Sequence, residues 1–220
     1  GGGLAGLTSA IHLSKQNKQV LLVEKNEYPK HKVCGEYISN EVLPYLNSLG
    51  IHPINDGAKK IKKVHISTIK SNLIKGELPL GGFGMSRYFL DDLLVKKARL
   101  NGVQVLKDSV EAIHFKKDAF TITTKTAKVF QSKVVVGAFG KRSSLDKKMN
   151  RKFFQKKSPY LAVKTHVKGV FPEDLVALHN FEGGYCGVSK VENNAINLCY
   201  ITEYRLFKKH KTITDFQNQV

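Results

Sequence analysis

The sequence predicts an α/β protein in which a parallel α/β unit is followed by an antiparallel sheet. Three features of the 220-residue chain support this fold class. A glycine-rich turn at residues 1–6 opens a pattern with apolar residues at helical spacing. Residues 20–24 are an apolar run closed by an acid, which is typical of a parallel strand buried on both faces. From residue 160 onward, short alternating segments indicate an antiparallel sheet.

The remaining segments are predicted from periodicity and from glycine positions. Residues 39–49 and 86–101 have helical patterns, and each is followed by a glycine that predicts a stop. Residues 64–69 and 76–80 predict a hairpin, and the glycines at 81–84 predict a turn. A helix is predicted to begin at residue 212. The other predicted strands are 103–106, 110–115, 120–124, 129–130, 133–138 (of the buried type), 161–167, 176–181, 185–189 and 195–201.

The composition is that of a folded chain without a membrane-spanning segment. Hydrophobic residues make up 41%, and no apolar run approaches the roughly 18 residues that a spanning helix needs. The formal net charge is +18, but the lysines are spread in pairs over several predicted elements. Nucleic-acid readers usually add arginine and aromatic side chains, which disfavours that class here. The charge therefore predicts a solvated surface, with an anionic substrate or membrane surface as the alternative.

The cysteines and histidines predict neither a disulfide framework nor a metal site. The three cysteines are Cys34, Cys186 and Cys199, an odd number with no Cys-x-x-Cys pair. This usage predicts a reduced, cytoplasmic protein. The eight histidines show none of the spacings that metal ligands adopt, so no metal is expected.

The turn at residues 1–6 has the Gly-x-Gly-x-x-Gly spacing of a dinucleotide-binding fingerprint. In that motif Gly1 permits the tight turn, Gly3 lets the backbone approach a pyrophosphate, and Gly6 lets the helix pack closely on the strand. Free N–H groups at the helix N-terminus favour phosphate. Glu24 stands at the end of the following strand, where a carboxylate can accept hydrogen bonds from a ribose. The alternative is a glycine-rich turn followed by an unrelated acid.

The fingerprint normally follows a buried strand, and no residue precedes Gly1 in this sequence. A parallel sheet without its central strand is not expected to fold. We therefore expect this chain to be a fragment whose first strand lies upstream.

Three further segments carry candidate chemistry. The loop at residues 32–36 reads Lys-Val-Cys-Gly-Glu, although Cys34 taken alone is more often a small buried residue. Arg87 opens the helix that ends before a Gly-Val step. Residues 134–144 predict a buried strand that ends in small residues and a basic turn. Such an end suits a phosphate-bearing ligand, and the alternative is an ordinary exit from a strand.

In this order, the four motifs resemble the FAD-dependent oxidoreductases built like para-hydroxybenzoate hydroxylase. They are most similar to the geranylgeranyl reductase-type, monooxygenase-like branch. The resemblance covers about residues 1–145. It is looser over residues 160–201, where residues 184–189 look like the hairpin of a substrate domain. It implies a Rossmann-like FAD-binding domain at residues 1–150 and a partial β-sheet substrate domain at 151–220. Residues 45–85 would be inserted in the first and contribute strands to the second.

The resemblance implies that the first part of the chain holds the nucleotide portion of FAD. Gly1, Gly3 and Gly6 would bind the pyrophosphate. Glu24 would bind the adenosine ribose, with Lys25 beside it.

Other residues would hold the remaining parts of the cofactor. Cys34 and Gly35 would lie near the flavin, and Arg87 would reach toward the phosphates or the ribityl chain. Val110 would offer its backbone to the adenine. Residues 138–140 read Ala-Phe-Gly where the family usually has Ala-Asp-Gly, so a contact through that aspartate is not expected.

The implied activity is that of an FAD-dependent oxidoreductase with NAD(P)H as electron donor. It would reduce a C=C bond or hydroxylate a small or lipophilic organic substrate. No residue is identified as a general acid or base, so no catalytic residue is predicted. The competing hypothesis is a non-enzymatic basic module that binds nucleic acid or an anionic membrane surface, and it rests on the net charge of +18. Peripheral membrane contact is open under both hypotheses.

Overall fold

The computed structural model describes residues 1–141, 143–155 and 158–218. They divide into two compact units. Unit one contains Gly1–Lys30, Leu49–Ile51 and the chain from Asp91 up to Ser158, and unit two contains His31–Ser48, His52–Leu90 and the chain from Ser158 onward. The domain boundaries drawn from the sequence, 1–150 and 151–220 with 45–85 inserted, stay a prediction.

Within the described residues the chain forms twelve strands and six α-helices. The strands are β1 (Leu21–Glu24), β2 (Tyr37–Ser39), β3 (Lys59–Ser67), β4 (Leu73–Gly84), β5 (Gln104–Lys107), β6 (Val110–Lys116), β7 (Ala119–Thr124), β8 (Val129–Ser132), β9 (Tyr160–Val167), β10 (Leu175–Phe181), β11 (Gly184–Lys190) and β12 (Ile196–Glu203). The helices are α1 (Leu4–Lys15), α2 (Leu43–Ser48), α3 (Arg87–Leu100), α4 (Ser144–Lys148), α5 (Tyr204–Phe207) and α6 (Ile213–Gln217). None of these helices is long and apolar enough to cross a membrane, as far as the described residues show.

Unit one begins as the sequence predicts, with a helix followed by a parallel strand. α1 buries Leu7, Ala10 and Ile11, which recur at the spacing of one helix face. β1 pairs in parallel with β5, so that Leu22 lies opposite Val105. β6, β7 and β8 form a separate three-stranded antiparallel sheet in the same unit.

The buried strand predicted at residues 133–138 is wrong. This segment has no strand structure, and Val134 and Val136 are 73% and 55% exposed. A strand needs a neighbour to pair its N–H and C=O groups. Residues 133–138 have no such neighbour among the described strands. The apolar run therefore predicted a preference for burial but could not supply the pairing that burial requires.

Unit two is built on a seven-stranded sheet in the order β2-β4-β3-β10-β11-β12-β9. The antiparallel sheet predicted from residue 160 onward is confirmed. β11 pairs with β10 on one side and with β12 on the other, and β12 also pairs with β9. The predicted hairpin is also confirmed, as β3 and β4. β10 pairs with β3 in parallel, so the hairpin extends the sheet. The sequence did not predict this pairing, because the two strands are far apart along the chain.

The turn predicted at residues 81–84 is wrong, because these residues are the buried end of β4. A Cβ on Gly82 would lie 2.4 Å from the Tyr37 ring, and one on Gly84 would lie 1.9 Å from the carbonyl oxygen of Lys190. The two glycines therefore permit close approach of neighbouring chains inside a strand. The sequence rule that clusters of glycine predict turns does not distinguish these two uses.

The predicted helices are confirmed with changes at their ends. Gly50 and Gly102 follow α2 and α3 closely with φ values of 75° and 79°, which supports their role as stops. The first part of the helix predicted at residues 39–49 is a 3₁₀ turn, Asn40–Val42. α6 begins with a reciprocal capping box between Thr212 and Asp215.

Candidate functional site

The first part of the predicted site is the turn that leads into α1, in unit one. Gly3 is the N-cap of α1, and within the described residues no side chain caps the helix there. Its first turn also carries no acidic residue. The first N–H groups of a helix have no partner inside the helix and create a positive potential. The start of α1 is therefore suited to an anionic group such as a phosphate.

Close backbone contacts surround this turn. A Cβ on Gly6 would lie 1.8 Å from the carbonyl oxygen of Gly1, and one on Gly1 would lie 2.3 Å from that of Ala138. Any side chain at Gly1 or Gly6 would therefore push the backbone apart. These contacts fit the pyrophosphate-binding turn that the spacing predicts, in which glycine permits close packing.

Replacing Gly6 with alanine is expected to lower the free energy of unfolding by about 1–3 kcal/mol, since overpacking forces the backbone to shift. Thermal and denaturant unfolding measure the change. Gly35→Ala is the matched control, because a Cβ there meets no atom within 4 Å and its φ lies outside the left-handed region. Equal stability of the two variants would contradict the close packing at Gly6.

Glu24 lies at the end of β1 and its carboxylate is held beside the turn. Gly2 N donates to Oε2 at 2.7 Å, and Asn26 donates to Oε1 from its backbone N at 2.9 Å and from Nδ2 at 2.7 Å. Partial burial alone would raise the pKa of Glu24, but the hydrogen bonds from Gly2 and Asn26 lower it below its ordinary value. The group is therefore a carboxylate at neutral pH, and Oε2 keeps a lone pair for a further donor.

Tyr28 is a member of this site that the sequence did not predict. Its hydroxyl donates to the carbonyl oxygen of Gly2 at 2.6 Å. Burial, followed by the negative charge of Glu24, raises the pKa of Tyr28, so the hydroxyl keeps its proton. A Cβ on Gly2 would lie 1.7 Å from this hydroxyl oxygen. Tyr28 and Glu24 thus fix Gly2 from two sides.

Two other predicted residues of unit one have less specific surroundings. Lys25 is exposed beside Glu24. Val110 is the first residue of β6, is half-buried, and pairs with Thr124. A bulge separates Val110 from Ala112. The contact between the Val110 backbone and the adenine stays a prediction.

The loop at residues 34–36 belongs to unit two, and polar side chains hold it in place. Cys34 is half-buried and Gly35 is exposed. Asn197, which is fully buried, donates from Nδ2 to the carbonyl oxygen of Gly35 at 2.9 Å. Met85 N donates to the carbonyl oxygen of Glu36 at 3.0 Å. These hydrogen bonds hold the backbone of the loop in place, with Gly35 exposed to solvent.

Glu36 is the most unusual residue of unit two. Its side chain is 0% exposed, and its φ of 56° lies in the left-handed region, which is uncommon for residues other than glycine. Lys164 donates to Oε1, and His166 Nε2 lies 2.6 Å from Oε2. Arg87 N also donates to Oε1, at 2.8 Å. Three donors on the buried carboxylate thus compensate for its desolvation.

The role of Arg87 differs in part from the prediction. It is the first residue of α3, and its backbone N–H binds Glu36. A carboxylate at this position also faces the positive end of the helix. The predicted reach of the Arg87 side chain toward phosphates or a ribityl chain stays a prediction.

Sequence patterns did not predict the cluster of Glu36, Lys164, His166 and Asn197. One signal was available, because Lys164 and His166 alternate along a strand and so share one face. Glu36 also directly follows the Cys-Gly step that was singled out. Neither signal links the two segments, which are 128 to 130 residues apart.

An apolar cavity of about 410 Å³ lies in unit two against the same loop. Cys34 and Gly35 line it together with strand residues that include Leu178, Tyr185 and Ile201. This volume is within the range of small-molecule sites, and mainly apolar walls favour an apolar ligand. Cys199 also lines the cavity; burial, followed by the nearby Cys34 and Cys186, raises the pKa of its thiol to about 11.

The structure thus brings the predicted residues together in two groups. Gly1, Gly3 and Gly6 form one group with Glu24 in unit one. Cys34, Gly35 and Arg87 form the other around Glu36 in unit two. Among the described residues, no group of three histidine, cysteine or acidic side chains is placed to hold a metal ion.

The fold and the glycine turn with its carboxylate define a Rossmann-like α/β protein. Residues 1–38 match the family described as NAD(P)-binding Rossmann-like domain. Menaquinone reductase from Mycobacterium tuberculosis (strain H37Rv) is 22% identical over 186 residues, which cover 79% of this chain and 44% of that protein. The chain therefore spans less than half the length of the curated relative that it matches.

Several solved flavoprotein structures have the same fold. PqsL, a probable FAD-dependent monooxygenase from Pseudomonas aeruginosa, has a TM-score of 0.76 at 16% identity, over 95% of this chain and 60% of that chain. The flavin-dependent brominase Bmp2 has a TM-score of 0.73 at 19% identity, over 96% and 56%. A flavoprotein/dehydrogenase from Cytophaga hutchinsonii has a TM-score of 0.76 at 19% identity, over 96% and 56%. The predicted fold class, a Rossmann-like α/β domain with a β-sheet domain, is confirmed.

Proposed function

We propose that this chain is the part of an FAD-dependent oxidoreductase that binds the cofactor and contributes to the substrate site. The observation that carries the proposal is the glycine turn at the start of α1 with the Glu24 carboxylate hydrogen-bonded to Gly2. The fold that the chain shares with solved flavoproteins supports it. FAD, when bound, supplies two-electron redox chemistry, with NAD(P)H as the donor.

The residues of unit one would bind the nucleotide part of the cofactor. Gly1, Gly3 and Gly6 would admit the pyrophosphate to the N-terminus of α1, where free N–H groups favour negative charge. Glu24 would accept a hydrogen bond from the adenosine ribose through the lone pair that Oε2 retains, with Lys25 beside it.

Four other residues would complete the cofactor site. Cys34 and Gly35 would face the flavin, since Gly35 is exposed and has open space where a Cβ would be. Arg87 would approach the phosphates or the ribityl chain. Val110 would meet the adenine through its backbone.

The substrate would be a small or lipophilic organic molecule. The apolar cavity beside Cys34 supports this class, because its size and walls suit an apolar ligand. The name of the relative from Mycobacterium tuberculosis, menaquinone reductase, also agrees with a lipophilic substrate. We assign the chain to the geranylgeranyl reductase-type branch as part of this proposal. Its reaction would be reduction of a C=C bond or hydroxylation, in the reducing environment of the cytoplasm that three free cysteines suit.

The absorbance spectrum of the purified intact protein tests the proposed function. We expect a flavin spectrum that bleaches when NADH or NADPH is added without oxygen. A substrate product that contains an oxygen atom from O2 would identify hydroxylation, and a product reduced at a C=C bond without oxygen would identify reduction. A colourless protein that binds no added FAD would contradict the proposal.

FAD is expected to protect Cys34 from alkylation, because the proposal places this thiol beside the flavin. The intact protein is alkylated with and without bound FAD, and the labelled peptides are mapped by mass spectrometry. Cys186 is the internal reference, since burial raises the pKa of its thiol and the residues that line the cavity beside Cys34 do not include it. Equal labelling of Cys34 in both states would contradict its placement.

A further inference from the structure

The end of the β3–β4 hairpin is an exposed surface that is both apolar and basic. Residues 66–75 form this surface, here termed the hairpin tip. Ile69 and Ile74 are 65% and 63% exposed, and Ile66 and Leu73 are also exposed. Soluble surfaces rarely group several exposed aliphatic side chains in one short segment, and such groups indicate an interaction site. The cofactor and substrate sites proposed above use none of these residues.

The residues of the hairpin tip itself carry charge of one sign. Lys70 and Lys75 are exposed within it. Residues 59–76 contain six lysines and no acidic residue. Two of these lysines, Lys59 and Lys63, pair with the acidic residues at 173 and 174, and the tip lies beyond those pairs. The apolar side chains are therefore surrounded by positive charge.

A neighbouring groove of unit two extends the apolar surface of the tip. Ile69 and Leu73 line an open cavity of about 720 Å³ that Lys209 and His210 also line. Glu182 is the acidic residue of that lining. Exposed aliphatic and cationic groups are thus next to each other at the tip, while the groove beside it holds one lysine and one carboxylate, Lys209 and Glu182.

We propose that the hairpin tip docks on an anionic lipid surface. At such a surface aliphatic side chains enter the boundary between headgroups and acyl chains, while lysines bind the anionic headgroups. Ile69 and Ile74 would enter the boundary between headgroups and acyl chains, and Lys70 and Lys75 would bind the anionic headgroups. The net charge of +18 would attract the protein to the surface from a distance. This inference is independent of the proposed oxidoreductase function.

Two other partners fit the hairpin tip less well. Residues 73–77 of β4 pair only with β3 among the described strands, and an open strand edge can pair with a second copy. However, Lys75 on that edge and the net charge of +18 on each copy oppose such pairing. A single-stranded nucleic acid would require stacking aromatics, and residues 59–76 contain no tyrosine, phenylalanine, tryptophan or arginine.

Vesicle binding by the intact protein tests the proposal. Sedimentation with phosphatidylcholine vesicles that contain phosphatidylglycerol is compared with sedimentation on phosphatidylcholine alone. We expect binding to the anionic vesicles only, weakened by salt. Ile69→Ser with Ile74→Ser, and separately Lys70→Gln with Lys75→Gln, should each weaken it by about tenfold or more. The control pair is Val129→Ser with Lys128→Gln, which removes one exposed aliphatic group and one lysine from the β7–β8 hairpin and should bind normally.

A fluorescence measurement separates lipid insertion from binding by charge alone. The chain has no tryptophan, so Ile69→Trp introduces a reporter whose emission is compared with that of the parent protein. We expect its emission to shift to the blue with anionic vesicles and to stay unchanged with single-stranded DNA. Vesicle binding that persists in the serine pair would overturn the proposal. A blue shift of the emission with single-stranded DNA would also overturn it and would identify nucleic acid as the partner. A blue shift that depends on protein concentration without lipid would overturn it too and would identify a second copy as the partner. The thermal unfolding of each variant confirms that it is folded.

Discussion

Replacing Glu36 with glutamine is expected to lower the free energy of unfolding by about 3–5 kcal/mol. The carboxylate is 0% exposed, and its partner Lys164 is 5% exposed. Without the negative charge of Glu36, the buried ammonium of Lys164 would lose its counterion. A broken buried ion pair is costly because the remaining charge stays desolvated. The amide nitrogen of glutamine is a donor, so one of the two oxygens that accept from Arg87 and Lys164 or from His166 would also be lost as an acceptor.

Chemical denaturation, with near-neutral pH held constant, measures this effect. The matched control is Glu173→Gln, which removes a carboxylate that is 64% exposed and pairs with Lys59 and Lys190 at the surface. Exposed ion pairs contribute about 0–1 kcal/mol, so the control should change little. Glu36→Gln combined with Lys164→Met should recover part of the loss, because it removes both charges. If Glu36→Gln alone were as stable as Glu173→Gln, the buried ion pair at Glu36 would be refuted.

Replacing Glu24 with alanine is expected to weaken FAD binding by about ten- to a hundredfold in the intact protein. A hydrogen bond to a charged group contributes about 1.5–3 kcal/mol, and about 1.4 kcal/mol corresponds to a tenfold change. The alanine would remove the proposed acceptor for the ribose. It would also leave the N–H groups of Gly2 and Asn26 without their partner, which loosens the turn.

Flavin occupancy after dialysis and direct titration with FAD measure the change. Glu27→Ala is the matched control, because Glu27 lies in the same loop but is 74% exposed and pairs with Lys107 at the surface. The control should retain its flavin. Glu24→Gln keeps the shape and should retain more flavin than the alanine variant. Unchanged occupancy in Glu24→Ala would exclude the ribose-binding role.

Much of the fold could be predicted because local patterns specify it. α1 and α3 have apolar residues at helical spacing, and polar turns separate the strands β6, β7 and β8. The glycines at 50 and 102 end their helices because they adopt positive φ. In each case the deciding interaction lies within one segment or between neighbouring segments of the chain.

The candidate site was predictable only where a motif places its parts at short spacing. The glycine turn and Glu24 are linked by a helix and a strand of known length, so their proximity follows from the spacing. The hydrogen bond from Gly2 to Glu24 agrees with that reasoning. The Glu36 cluster has no such link, since Lys164 and His166 are contributed by β9, the last strand of the seven-stranded sheet.

The sequence by itself determined the class of the protein, the start of its nucleotide-binding turn, and most helices and hairpins. Only the tertiary structure decided how segments with ambiguous patterns are used. Gly82 and Gly84 lie in a buried strand, where the Tyr37 ring approaches the first and the backbone of Lys190 approaches the second. Residues 133–138 form no strand because none of the described strands pairs with them. Hydrophobicity and conformational freedom are properties of a segment, whereas pairing and close approach depend on residues distant along the chain.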